Sequence, residues 1–272
     1  MSYRINRNLN KHKKKTLEVK PIQQEIVLGD YSFPIYGVKM QNGNFSPFEI
    51  HGTCFYIGNN YFLSANHVIE NAKLSEFSKI GFLSQVTNGC VQLHDYEIME
   101  RFEQEDLVLL KSDSMTNFEK KPKAFAWSGK EILIFEEIRS MGFPYGFDSF
   151  RGYTSGRGYS GTLVGEIDFI RGDLKTRCYE LSFQAPRGLS GGFLIDSHYK
   201  VHGMIIGNSE TEKSISYDKF VIKSGKGEIE KIEITNQITF IGLALTERFI
   251  FKLYSNHLQM NFHKYLQNAN LH

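Results

Sequence analysis

From about residue 24 to residue 243, apolar residues come in short runs, interleaved with polar ones and cut by Gly, Asn and Pro. Alternation with a period of two belongs to a half-buried strand. The pattern predicts strands at residues 25–28, 35–40 and 52–57. The turn Gly58-Asn59-Asn60 and a strand at residues 61–64 then complete a hairpin. Further strands are predicted at residues 79–83, 89–93 and 96–102. Leu107-Val108-Leu109-Leu110 is apolar throughout, as a strand buried on both faces is.

Residues 112–123 are polar and contain Pro122, which marks a linker between two halves. Strands resume at residues 132–135, 137–141, 161–166, 177–183, 193–195, 201–206, 220–222, 229–234 and 238–243. Residues 147–161 are rich in Gly, Ser, Tyr and Arg and are expected to form a mobile surface loop. Beyond them, Phe249, Ile250, Leu253, Leu258, Phe262 and Leu266 are spaced as one face of an amphipathic helix over residues 245–267. The sum is an all-β chain, a sandwich or barrel architecture with a C-terminal helix and no internal repeat. The expected divisions are a basic tail (1–20), a first β half (21–115), a linker (116–130), a second β half (131–245) and a C-terminal helix and tail (246–272).

Charge changes the picture at one end only. Residues 1–20 hold seven Lys/Arg and one acid, a net +6, so the remainder carries −4 against the overall +2. A mildly acidic body argues against a nucleic-acid-binding face. The tail reads as a disordered extension, able at most to touch an anionic partner. No run approaches the roughly 18 apolar residues a membrane helix requires. No apolar segment follows the basic start, so no secretory leader is expected. Three scattered cysteines, Cys54, Cys90 and Cys178, suit neither a disulfide framework nor a zinc site. These features place the protein in the cytoplasm, with no metal and no cofactor.

The candidate chemistry centres on Gln184-Ala185-Pro186-Arg187-Gly188-Leu189-Ser190-Gly191-Gly192. A serine between glycines can stand exposed on a sharp turn with backbone N–H groups free around it. It becomes a nucleophile only with a base and a group that orients the base. Of nine histidines, His12, His94, His198, His257, His263 and His272 lie in the tail, in polar turns or on the terminal helix. His51 and His202 flank strands and stay open. His67 follows a buried hairpin strand in Ala65-Asn66-His67-Val68 and is the leading base. Asp106 abuts the apolar run 107–110, which fixes its position; Glu105 beside it is the other candidate acid.

The Ala65-Asn66-His67-Val68 turn, the strand opened by Asp106 and Gly188-Leu189-Ser190-Gly191-Gly192 resemble the three catalytic blocks of the chymotrypsin/trypsin-like serine peptidases. Met141-Gly142-Phe143-Pro144-Tyr145-Gly146 is similar to a turn of the bacterial Deg-type members. The resemblance spans about residues 25–250. It implies two antiparallel six-stranded β-barrels, with His67, Asp106 and Ser190 as the catalytic triad of a serine endopeptidase. The backbone N–H groups of Gly188 and Ser190 would form the oxyanion hole. It also puts Gln184, Ile205, Ile206 and Gly207 around the substrate, in a neutral pocket for an apolar or small side chain.

Leu189 stands where zymogen-activated members carry an Asp, and Val68 where secreted animal members carry a Cys, so neither device is expected. No room for a PDZ module is apparent. Absence of a propeptide suggests an enzyme latent until a regulatory protein binds its loops. Two other readings stay open. The same fold could be an idle interaction scaffold. Alternatively, Gly188-Leu189-Ser190-Gly191-Gly192 could be the Gly-x-Ser-x-Gly of an α/β-hydrolase, with Asp218 and His257, which requires a helix after the serine.

Overall fold

The computed structural model describes residues 28–41, 44–74, 79–85, 91–117, 121–144, 147–148, 153–171, 174–224 and 227–269. The basic tail lies outside them, as does the strand expected at residues 25–28 except for Leu28, which opens a 3-10 turn, Leu28–Asp30.

The first half comprises β1 (Ser32–Gln41), β2 (Asn44–Gly58), β3 (Tyr61–Ala65), α1 (Asn66–Leu74), β4 (Lys79–Gln85), β5 (Val91–His94), β6 (Glu97–Phe102) and β7 (Leu107–Lys111). The strands form one antiparallel sheet in the order β5-β4-β1-β2-β3-β7-β6. It has seven strands where the resemblance implies six. Register shifts between Ile35 and Tyr36 and between Gly37 and Val38 bend the long β1–β2 pair, and such bulges curl a sheet.

The second half comprises β8 (Glu137–Gly142), the two-residue strands β9 (Phe147–Asp148) and β10 (Tyr153–Thr154), β11 (Arg157–Arg171), β12 (Leu174–Leu181), β13 (Phe193–Asp196), β14 (Val201–Ser224) and β15 (Gly227–Thr246). Six of these close a barrel in the order β11-β12-β15-β14-β13-β8. This is the double-barrel architecture of the chymotrypsin-like fold. One apolar cluster joins the halves, running from Phe62 and Leu107–Leu110 to Phe193, Leu245 and Phe262.

Four local expectations are corrected. Residues 132–135 are not a strand: Ile132 is buried, but Leu133, Ile134 and Phe135 sit exposed on a turn with Phe135 left-handed (φ 73°). The strands expected at 201–206 and 220–222, and at 229–234 and 238–243, merge into the single hairpin β14–β15, because the polar residues between them keep the ladder paired. Part of the expected loop, residues 157–161, belongs to β11 and pairs with β8. The single C-terminal helix is two, α2 (Glu247–Lys252) and α3 (Phe262–Ala269). Between them β16 (Tyr254–Ser255) pairs with β17 (Met260–Asn261). Glu100 holds this interruption, accepting from Asn256 and His257 N–H groups and from the Ser255 hydroxyl.

Candidate active site

Strand register brings His67 and Asp106 together. Ala65, the last residue of β3, pairs with Leu107, the first of β7. Asn66 and His67 therefore leave the sheet beside Asp106. The Asp106 carbonyl accepts from Asn66 N–H at 3.1 Å. Its carboxylate accepts twice from His67, from the backbone N–H at 2.9 Å (Oδ1) and from ring Nδ1 at 2.7 Å (Oδ2). Two bonds from one side chain fix both the start of α1 and the imidazole plane. The bond at Nδ1 assigns the ring proton there and leaves Nε2 as an acceptor. Asp106 itself is left-handed (φ 53°), a conformation Asp tolerates better than most residues. Glu105 takes no part in this contact. Arg101 donates to the Asn66 side chain, bracing the same turn from β6.

Ser190 reaches this corner by a different route. Its carbonyl accepts from Thr53 N–H on β2 at 2.9 Å, and Gly191 N–H donates to Ile205 O on β14 at 2.8 Å. The serine turn is thus pinned to both halves. Gly191 (φ +84°) presses so closely on β2 and β3 that an added Cβ would meet Thr53 O at 2.0 Å and Ser64 Oγ at 2.5 Å. Only glycine fits there, against Ser64 of β3, three residues before His67. Behind the serine, Phe193 packs edge-on against Phe55 at 6.2 Å and Phe125 at 5.0 Å, which anchors the turn in the shared core. Among the described residues the Ser190 hydroxyl has no hydrogen-bond partner.

Before the serine, Leu189 N–H donates to Pro186 O at 3.0 Å and closes a four-residue turn. Gly188 has φ +94° while Arg187 is not left-handed. Together these define a type II turn, whose third residue requires positive φ. The Gly188 carbonyl is drawn inward by the buried Thr53 hydroxyl at 2.6 Å and by Phe143 N–H at 3.3 Å. Among the described residues the N–H groups of Gly188 and Ser190 donate no hydrogen bond. Arg187 is exposed and pairs with Glu49 of β2.

A cavity of about 300 Å³ opens beside His67 and Asp106, walled by Phe169, Ile206, Gly207, Asn208 and Leu243. Pairing of β14 with β15 shifts register between Ile205 and Gly207, so Ile206 bulges out of the ladder. Ile206 and Gly207 therefore line the cavity. Ile205 is wholly buried on the other side, packed with Leu163, Leu181 and Leu189, and Gln184 is exposed outside it. Asn208 also clamps the segment before the serine. Its side chain accepts from Ala185 N–H at 2.7 Å and donates to Ala185 O at 2.8 Å.

Thr53, Asn208 and Phe143 support the site through contacts that the sequence did not predict, although Phe143 lies in the turn quoted for the resemblance. Each acts through space on a residue far away in the chain, which no local pattern reveals. Three other histidines have partners elsewhere. His94 is buried against Ser84 and Ser114, His202 is buried on Asp196, and His257 bonds Tyr61. The residues after Gly192 enter strand β13, not the helix an α/β-hydrolase requires. Among the described residues no group of three His, Cys, Asp or Glu could hold a metal ion.

Residues 52–204, more than half of the chain, match the trypsin-like peptidase domain. No curated protein matches. Among solved structures, the active form of the Rv3671c protease from M. tuberculosis aligns with a TM-score of 0.53 and 13% identity, covering 82% of this chain and 78% of that one. Its inactive form aligns at 0.50 and 14%, covering 81% and 85%. The MamO protease domain from Magnetospirillum magneticum aligns at 0.47 and 14%, covering 79% and 92%. At such low identity the likeness to Rv3671c speaks for the fold.

Proposed function

The chain belongs to the trypsin-like peptidase family and is a trypsin-like serine protease, and we propose that it is an endopeptidase working through Ser190, His67 and Asp106. The observation that carries this reading is the double acceptance by Asp106 of the His67 N–H and Nδ1. It leaves Nε2 as the base a serine hydroxyl requires. Ser190 Oγ attacks the scissile carbonyl as His67 Nε2 takes its proton. Asp106 holds the tautomer and stabilises the imidazolium. The oxyanion accepts from Gly188 and Ser190 N–H, which the type II turn leaves without another partner. His67 then gives its proton to the leaving amine, and a water repeats the sequence on the acyl-enzyme. Apo sites often carry long catalytic hydrogen bonds that tighten with substrate, so the Ser190–His67 bond forms in the substrate complex.

Phe169, Ile206 and Leu243 favour an apolar substrate side chain beside His67. The β9–β10 pair follows β8 and Phe143, whose N–H holds the Gly188 carbonyl, so a partner binding the Gly-rich segment 147–161 can raise activity from a latent level. The test is fluorophosphonate labelling of wild type, Ser190→Ala and His67→Ala with intact-mass readout. Labelling of wild type alone supports the assignment. Equal labelling of wild type and Ser190→Ala refutes it.

A further inference from the structure

A second cavity lies on the C-terminal elements and shares no residue with the one beside His67. It is a shallow, open depression of about 510 Å³ lined by Arg248, Phe251, Lys252, Asn261 and His263. Arg248 and Lys252 are one helical turn apart on α2, so both cations face the same side. Both are exposed, as are Asn261 and His263. Phe251 is half-buried, with Trp127 at 5.6 Å and the His263 ring at 4.7 Å, and forms an apolar floor beneath a cationic rim. Residues 248–269 contain Arg248, Lys252 and Lys264 and no Asp or Glu.

We propose that this cavity is a docking site for an acidic peptide segment, with carboxylates on Arg248 and Lys252 and an apolar side chain on Phe251. The chain itself displays the recognition chemistry, since Arg248 already contacts the carboxylate of Glu131, which precedes β8. Arg248 and Glu131 are both more than half exposed. An exposed pair of this kind is weak, because solvent screens it and two long side chains must be held in place, so an incoming carboxylate displaces Glu131 at little cost. The basic residues 1–20, with seven cations to one acid, are repelled by the same rim and cannot be its occupant. The open cationic rim suits an extended polymer crossing it. Phe251 is half-buried and already has Trp127 and His263 tilted against its ring, which leaves an apolar edge for a side chain rather than a free platform for a stacked nucleobase and favours a peptide.

The test is fluorescence anisotropy of the full chain with a labelled Glu-rich peptide carrying one Phe, at low and at physiological salt. Wild type binds, and binding weakens with salt because exposed charges are screened over about 10 Å at 0.1 M. Arg248→Glu/Lys252→Glu loses at least about tenfold in affinity, while Lys175→Glu, an exposed cation on β12, changes nothing. If the double variant unfolds on thermal melting, the single changes Arg248→Gln and Lys252→Gln decide, each expected to lose a few-fold. Equal binding by wild type and the charge-altered variants overturns the proposal. No binding by wild type at low salt overturns it as well. Tighter binding of a single-stranded oligonucleotide assigns the site to nucleic acid instead.

Discussion

Thr53→Val tests whether the turn before Ser190 is held for catalysis. Thr53 is fully buried and its hydroxyl donates to Gly188 O at 2.6 Å. Valine keeps the shape and loses only the donor. The backbone bonds of Thr53, its N–H to Ser190 O and its carbonyl to Ser64 Oγ, are unaffected. Gly188 O is not orphaned, because Phe143 N–H remains at 3.3 Å. The loss is therefore that of one net buried hydrogen bond, about 1–1.5 kcal/mol, rather than the larger penalty of an unsatisfied carbonyl. For a domain of this size that lowers Tm by about 2–5 °C. If the bond also aims the Gly188 N–H, a similar energy enters the barrier, and kcat falls about tenfold with KM little changed. Steady-state kinetics on a peptide substrate and the fluorophosphonate labelling rate measure this. Ser84→Ala, which loses a buried 2.6 Å bond to His94 on the edge of the first sheet, controls for stability alone. The same drop in Tm from both variants, with no loss of kcat in Thr53→Val, would refute the reasoning.

The other predictions follow from the same contacts. Asp106→Asn keeps an oxygen for the His67 N–H, so the chain folds, but the amide favours the wrong tautomer; kcat falls by about 10⁴, read against unchanged circular dichroism. Gly191→Ala forces a methyl within 2.0 Å of Thr53 O at φ +84°; strain of about 1–3 kcal/mol plus the clash lowers Tm sharply, and a soluble variant of unchanged Tm sinks the packing argument. Asn208→Ala frees both polar groups of Ala185 and is expected to lower both Tm and labelling rate, which parallel assays on the variant and wild type check. Glu247 is buried, and burial pushes its carboxyl up from 4.5 to about 7 despite the bond from Gly129 N–H. The raised value means the folded state binds the extra proton. The stabilisation is full below pH 4.5 and is lost as pH rises to 7, a swing of about 3 kcal/mol. Glu247→Gln should therefore raise Tm at pH 8 and not at pH 4.5; an equal effect at both refutes the assignment.

The strands were legible where apolar alternation was clean. β3 and β7 fall within a residue of expectation because Phe62, Leu63 and Leu107–Leu110 must be buried and have only one way to be. The failures have physical causes. Leu133, Ile134 and Phe135 form an apolar run that stands exposed, and Phe135 turns left-handed, so hydrophobicity alone misread a turn as a strand. The terminal helix was misread because Glu100, far away in the chain, captures residues 255–257 and breaks the helical repeat. The polar middle of β14–β15 hid one long hairpin, since a ladder can be kept by backbone pairing without an apolar face.

By itself the sequence determined which residues can do chemistry: a histidine after a buried strand, an acid abutting an apolar one, and a serine among glycines. These are local properties, set by side-chain type and immediate backbone freedom. The preference for Asp106 over Glu105 came from its place against the apolar run, but only the tertiary structure put its carboxylate on the His67 ring, through the pairing of Ala65 with Leu107 across two strands. Only it showed Thr53 and Asn208 holding the serine segment and put Ile206, but not Ile205, on the cavity wall, through a single register shift in β14. Strand register and through-space hydrogen bonds link residues far apart in the chain, and no local pattern encodes them.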